Sequence, residues 1–300
     1  MRIAVTGAAG YIGTRLAERL AADGHDLVCI DRRPAEAPGA AWIAADILDA
    51  DLSDALSACD SVVHLAANPI VSEGGGRADT FGTTARLCEQ APESCHIVFA
   101  SSSSVYGGGR EPHRETDECR PASEYARAKL DSEALLEGFR AASLRFANVS
   151  GGPVRHGVVF DFVNKLRGDP GRLDVLGDGT QTREYLHLDD AVEAVAHCLG
   201  GRLHGVYNVG NSDPVTVDQV AREVVSAMGL ERVEVRHGTG DVGWSGDVNS
   251  TLLDSSKFES TGWRPTRGSL STVSDAVATL CRGGREPLRR DGSAPPAPSR

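Results

Sequence analysis

The chain begins with an apolar run, Ile3-Ala4-Val5-Thr6, which breaks directly into Gly7-Ala8-Ala9-Gly10-Tyr11-Ile12-Gly13 and then into a helical pattern. Few arrangements constrain a fold as tightly. A strand, a glycine-rich turn and a helix, in that order, form the opening unit of a doubly wound sheet. Glycine lets the backbone turn sharply and approach a bound group closely. The helix start then presents free N–H groups and the positive end of its dipole, which suit a pyrophosphate.

The pattern continues. Apolar runs at Asp26–Ile30, Trp42–Ala45, Val62–Ala66, His96–Ala100 and Ser143–Ala147 predict further strands. Between most of them, Ile12–Ala22, Leu52–Ala58, Thr80–Glu89 and Ser123–Phe139 predict helices. Such alternation implies a parallel sheet with helices on both faces. The expected fold class is therefore α/β: a Rossmann-like doubly wound sheet with a smaller C-terminal α/β substrate-binding region. Residues 1–150 are expected to form the dinucleotide-binding domain, with later segments returning to it. Residues 151–282 are assigned mainly to substrate binding, with helices near Asp189–Leu199 and Val217–Met228 and strands near Val206–Val209 and Val233–Arg236. Residues 283–300 are so rich in Pro, Gly, Ser and Arg that a disordered tail is expected.

Composition narrows the function. A formal net charge of -11, with no basic stripe, excludes generic nucleic-acid backbone binding. No apolar run approaches the ~18 residues of a membrane span. Seven cysteines (Cys29, Cys59, Cys88, Cys95, Cys119, Cys198 and Cys281) show no CxxC pair and no Cys/His ligand spacing. They read as reduced thiols of a cytoplasmic protein, with no metal site expected.

Asp31 closes the second strand about twenty residues past the glycine loop, where a carboxylate accepts hydrogen bonds from an adenosine ribose. It would repel a 2′-phosphate, which favours NAD over NADP. Arg32 and Arg33 follow at once, and Arg32 is placed with the cofactor contacts. Asp46-Ile47 suits the adenine edge, and Leu65-Ala66-Ala67 offers small residues where a cofactor passes close to backbone.

Tyr125 and Lys129, in Tyr125-Ala126-Arg127-Ala128-Lys129, share one helical face at i, i+4. A free tyrosine ionises near pH ~10, too high for a base in a cell. A neighbouring ammonium is expected to lower that value. A serine from Ser101-Ser102-Ser103-Ser104 can hydrogen-bond the same substrate oxygen. Such a group suits taking a proton from a hydroxyl while hydride leaves the carbon.

Taken in order, these segments resemble the extended short-chain dehydrogenase/reductase family, the NAD-dependent epimerase/dehydratase group acting on nucleotide sugars. The matching pieces are TGAAGYIG (6–13), Asp31, Asp46-Ile47, HLAA (64–67), SSSSVYG (101–107), YARAK (125–129) and LRFANVSGGP (144–153). LGDGTQTREYLHLDDAVEA (176–194), YNVGNSDPVTVDQVA (207–221) and DSSKFESTGWRP (254–265) extend the likeness to about residue 265. The resemblance implies Tyr125 as acid/base, Lys129 as its cationic partner and nicotinamide-ribose ligand, and Ser102 as the catalytic serine. It places Ser104 against substrate and Phe146 near the nicotinamide. Asn148, Arg183 and the displaced Arg236 fall to the nucleotide diphosphate, and Ser245 to a sugar-pocket wall.

Glu184, Asp189 and Asp190 read as cap and first-turn charges of the next helix. His64 and His187 read as structural.

The shared first step of the family is oxidation at sugar C4. Dehydratases carry an Asp-Glu pair after the catalytic residue, where this chain has Ser103-Ser104. The resemblance therefore implies a nucleotide-sugar 4-epimerase, UDP-sugar favoured, and a homodimer. Alternatives are a dehydratase, a 4-keto reductase, a decarboxylating dehydrogenase or a non-catalytic NAD-binding protein.

Overall fold

The structure is a computed structural model, and it describes residues 1–33, 39–67, 76–109, 111–240 and 250–282. The first half runs β1 (Arg2–Thr6), α1 (Tyr11–Ala22), β2 (Asp26–Asp31), β3 (Ala41–Ala44), α2 (Ser53–Ser57), β4 (Ser61–His64), α3 (Gly76–Gln90) and β5 (His96–Ser102). A 3₁₀ turn (Ser103–Tyr106) leads to α4 (Glu124–Leu136), β6 (Arg140–Phe146) and β7 (Asn148–Ser150). Then come α5 (Val158–Gly168), β8 (Arg172–Val175), β9 (Thr182–Arg183), β10 (Tyr185–His187), α6 (Leu188–Gly201) and β11 (Gly205–Val209). β12 (Val215–Thr216), α7 (Val217–Ala227), β13 (Glu234–His237), β14 (Ser250–Thr251), α8 (Ser256–Glu259) and α9 (Ser269–Arg282) complete the order.

Seven strands form one sheet in the order β11-β6-β5-β4-β1-β2-β3, every neighbouring pair parallel. The reversal beside β1 puts the carboxyl ends of β1 and β4 at the crevice where such sheets bind ligands. Residues alternate between faces: Ile3 and Val5 of β1 enter a core with α1 and α6, whereas Ala4 joins one with α2 and α3. β1 is buried on both sides, as a central parallel strand should be. β11 comes from the second half of the chain, yet it forms the outer strand beside β6.

A separate core lies among α5, α7 and α9, built on Phe160, Phe162, Val163, Val220, Val224, Val273 and Val277. The reading by pattern has neither α5 nor α9. Gly157 and Gly168 bracket the first, and Gly268 precedes the second, so the surrounding glycine-rich sequence masks their helical period. β13 begins one residue later than expected. Among the described residues no helix is long and apolar enough to cross a membrane, and all seven cysteines are free thiols.

Candidate active site

The glycine loop closes tightly on the protein's own backbone. Gly7 has φ +71°, and a Cβ there would stand 2.8 Å from Ala66 N and 2.9 Å from the Leu65 carbonyl carbon. A Cβ on Gly13 would meet Gly7 O at 2.2 Å. Only glycine allows strand, loop and helix to close this tightly. Gly10 starts α1 with no side-chain cap, which leaves the first-turn N–H groups for an anion. The same packing brings Leu65, Ala66 and the loop together.

Asp31 ends β2 against this loop. Its carboxylate accepts from Ala9 N at 3.1 Å and Arg33 N at 3.0 Å. Arg32 reaches Asp46 at 3.7 Å, so the two charged candidates on the adenosine side meet each other. Two cofactor candidates have side chains committed elsewhere, which leaves their backbone for a ligand. Ile47 is 5% exposed and packs into the core, so it can offer only backbone. The Tyr11 hydroxyl donates to Gly151 O and ties α1 to the loop after β7.

The catalytic candidates converge at the carboxyl end of β5. Ser102 is the last residue of that strand, in register with Phe146 of β6. Its Oγ accepts from Ser104 N at 3.2 Å and lies 2.9 Å from Ser104 Oγ. Ser123 caps α4 by accepting from Ala126 N at 3.2 Å, and this sets Tyr125 and Lys129 on the first turns. Lys129 is 2% exposed; its Nζ donates to Ala100 O at 2.6 Å and stands 4.6 Å from the Phe99 ring centre. Phe146 is buried in the core beside them.

Burial works against the expected lowering of the phenol. Burial pushes the Tyr125 phenol up to about 12, and hydrogen bonding with Ser102 only partly opposes it. Burial also pulls Lys129 down to about 7, against the attraction of Glu133. The reason is geometric. Nζ bonds a strand carbonyl and lies 5.7 Å from the Tyr125 ring centre, so desolvation outweighs charge stabilisation of the phenolate.

Behind the pair runs a polar lattice that motif reading did not find. Glu133, one turn beyond Lys129, forms a two-pronged pair with Arg145 at 2.6–3.2 Å, and Ser101 Oγ donates to it. Arg145 Nη1 donates to the Tyr106 hydroxyl at 2.9 Å, which donates to Asn208 Oδ1 at 2.6 Å. The lattice joins β5, α4, β6, the 3₁₀ turn and β11. One signal was available: an arginine inside the apolar strand Ser143–Ala147 must be paired if it is buried.

On the substrate side, Asn148 of β7 donates from Nδ2 to Glu184 O at 3.2 Å. Arg183 of β9 lies in register with Val215 of β12 and Thr251 of β14. Arg236 is not brought to them. It pairs with Glu234 at 2.9 Å on one face of β13, while His237 on the other face reaches Asp218 Oδ1 at 2.7 Å. Strand alternation thus turns Arg236 toward its own carboxylate neighbour. Ser245 lies outside the described residues.

Asp189 and Asp190 are first-turn charges of α6, as expected, but neither is its cap: His187 is the N-cap, and its Nδ1 accepts from Asp189 N at 3.0 Å. Asp189 pairs with Arg15 at 2.9 Å, and buried Asp190 accepts from Thr266 and Arg267 of a distant loop. Glu184 is buried between β9 and β10, away from the cap. His64 is structural, as expected: burial first, then Lys129, lowers it to about 3, and its ring nitrogens meet Thr6 and Thr84.

Two cavities, of about 440 and 430 Å³, open beyond the 3₁₀ turn and share Gly108, Gly109 and Glu111. The second reaches Thr182 and Ser250, beside Arg183.

The pattern described as the NAD dependent epimerase/dehydratase family matches residues 3–210. The chain belongs to this family. A UDP-glucose 4-epimerase of Mycolicibacterium smegmatis is 31% identical, covering 88% of this chain and 94% of that protein. A UDP-N-acetyl-alpha-D-glucosaminuronate decarboxylase of Bacillus cytotoxicus is 30% identical, covering 74% and 79%. The solved structure of MoeE5 in complex with UDP-glucose and NAD superposes with a TM-score of 0.85 at 30% identity, covering 94% and 99%.

The family consists of NAD-dependent enzymes of the extended short-chain dehydrogenase/reductase type. The residues present fit that cofactor. Gly7 and Gly13 close the turn, the loop at Gly10 and the uncapped start of α1 would hold the pyrophosphate against backbone, and Asp31 would take the ribose.

Proposed function

We propose that this chain is a nucleotide-sugar 4-epimerase that uses NAD and favours a UDP-sugar. The carrying observation is the convergence of Ser102, Tyr125 and Lys129 at the end of β5, next to Ser103 and Ser104 and with no carboxylate at those two positions. Bound NAD supplies a hydride acceptor and a positive charge. Tyr125, as the phenolate that this positive charge beside it would favour against burial, takes the proton of the C4 hydroxyl and later returns it. Ser102 hydrogen-bonds the same oxygen in both directions of transfer. Lys129, fixed by Ala100 O, holds a nearby polar group of the cofactor and adds positive charge when protonated.

Epimerisation asks for nothing more from side chains. The 4-keto sugar must present its other face while its nucleotide stays clamped, a task for Asn148 and the guanidinium of Arg183. A homodimer in the cytoplasm belongs to the same reading. The test is incubation with UDP-glucose or UDP-galactose, with and without added NAD, and NMR of the products. Interconversion without stoichiometric NAD supports an epimerase; net oxidation or elimination refutes it. The likeness to a decarboxylase supports a second reading. Release of carbon dioxide from a UDP-uronate would favour it.

A further inference from the structure

Glu184 is a buried ionisable group that the proposed chemistry leaves unused. Glu184 is 0% exposed and joins β9 to β10, directly after Arg183. Its carbonyl accepts from Asn148 Nδ2 at 3.2 Å. Its side-chain Oε2 accepts from Leu253 N at 3.2 Å, whereas Oε1 is buried with no hydrogen-bond partner among the described residues. Gly210 presses on the same carboxyl: a Cβ there would lie 2.8 Å from Oε2.

We propose that Glu184 is a positioning residue for the substrate side chains Asn148 and Arg183, held between them as a neutral carboxylic acid. This rests on the substrate roles proposed above for those two residues.

Three arguments converge. The backbone of Glu184 anchors the Asn148 amide, so a shift of the first displaces the second. The carboxyl also holds the chain just after β14, and β14 is paired with β9 at Arg183. Neutrality follows from the surroundings. A carboxylate with one bare oxygen in a dry site is costly. The groups facing it are the wrong sign to help. Glu111 takes the adjacent amide, Leu252 N, at 3.1 Å, and Asp213 takes Ser269 N at 2.9 Å. His113 lies 4.0 Å from Glu111, and Arg114 is committed to Asp254 at 3.1 Å. Arg183, the last residue of β9, is the cation next to it in sequence. Burial pushes the Glu184 carboxyl up to about 7, opposed by the Leu253 amide and by the Ser212 amide, which faces the carboxyl without completing a hydrogen bond, and reinforced by Glu111 and Asp213.

The sign of the pH effect is fixed. The folded chain holds a proton that the unfolded chain releases near 4.5, so stability falls as pH rises from about 4.5 to about 7 and is flat above.

The test compares wild type, Glu184→Gln and Glu184→Ala. Melting temperature is first followed without ligand from pH 5 to 8. Wild type should lose several degrees relative to Glu184→Gln by pH 7.5. Calorimetric binding of UDP-glucose should then be equal for wild type and Glu184→Gln at pH 6, and weaker for Glu184→Ala by roughly tenfold, because buried amides lose their acceptor. At pH 8 the Gln variant should bind more tightly than wild type. Parallel melting curves overturn the neutral acid. A Gln variant binding as poorly as the Ala variant overturns the positioning role. Wild type that binds no UDP-glucose overturns the proposed function and the positioning with it. If the Ala variant does not fold, the wild type and Gln pair still decides.

Discussion

The catalytic edge and the substrate arm bury carboxyls in opposite ways. At the catalytic edge Glu133 meets Arg145 fork to fork, and every prong continues into Tyr106, Asn208 or Ser101. In the arm, Glu184 has backbone amides, one bare oxygen and two other carboxyls for company. The first arrangement fixes geometry at a steep cost if half of it is removed. The second leaves a group whose charge state can follow the medium. Lys129 lies between these extremes: it is buried at the catalytic edge with a carbonyl as its hydrogen-bond partner, so it too is held away from its charged form. A fully paired lattice thus stands beside a lysine whose ammonium is disfavoured by burial and bonds a carbonyl.

The largest effect should come from removing the chemistry while leaving the lattice intact. Tyr125→Phe should lower turnover by a factor of roughly 100 to 10,000. Melting temperature and NAD affinity should stay close to wild type. Activity near the wild-type level would refute the acid/base assignment.

Breaking the lattice tests the comparison directly. Arg145→Met strands Glu133 and should cost about 3–5 kcal/mol in urea unfolding. Replacing both partners, Glu133→Leu with Arg145→Met, should cost less than the single change. A double variant as unstable as the sum of the singles would show that the pair does not act as a unit.

Lys129→Met should abolish activity yet raise stability, because it removes a buried unpaired cation. The folded chain releases the Lys129 proton near 7 and the unfolded chain near 10.5, so wild type gains stability as pH rises through that window. The variant's advantage should therefore be greatest at or below pH 7, at least about 2 °C in melting temperature, and vanish toward pH 10.5. A destabilised variant at pH 6 would mean that Lys129 is better paired than its contacts indicate.

The smallest change should come from a solvated pair. Arg19 meets Glu193 at 2.5 Å between α1 and α6, with side chains 33% and 48% exposed. Arg19→Ala should cost under about 1 kcal/mol, less still at high salt. A loss comparable to Arg145→Met would erase the distinction between paired groups in the core and on the surface.

Much of the fold was legible because its cause is local. Strand, glycine loop and helix are consecutive residues, and the period of the apolar runs sets which face each element buries. Tyr125 and Lys129 were legible for the same reason, since one helical turn places them. α5 and α9 were not, because glycines break their outlines and their partners are each other and α7. Arg236 was misplaced because a side chain's direction on β13 depends on a register that spacing alone does not reveal.

The sequence by itself determined the parallel sheet and the glycine loop with Asp31, and it singled out Ser102, Tyr125 and Lys129, the trio proposed to react. Tertiary structure alone decided the protonation tendencies of Tyr125 and Lys129, the Glu133–Arg145 lattice and the buried setting of Glu184. The physical reason is range. Backbone turns and helical faces are set within a few residues, whereas desolvation and charge pairing depend on segments that meet only after the chain has folded.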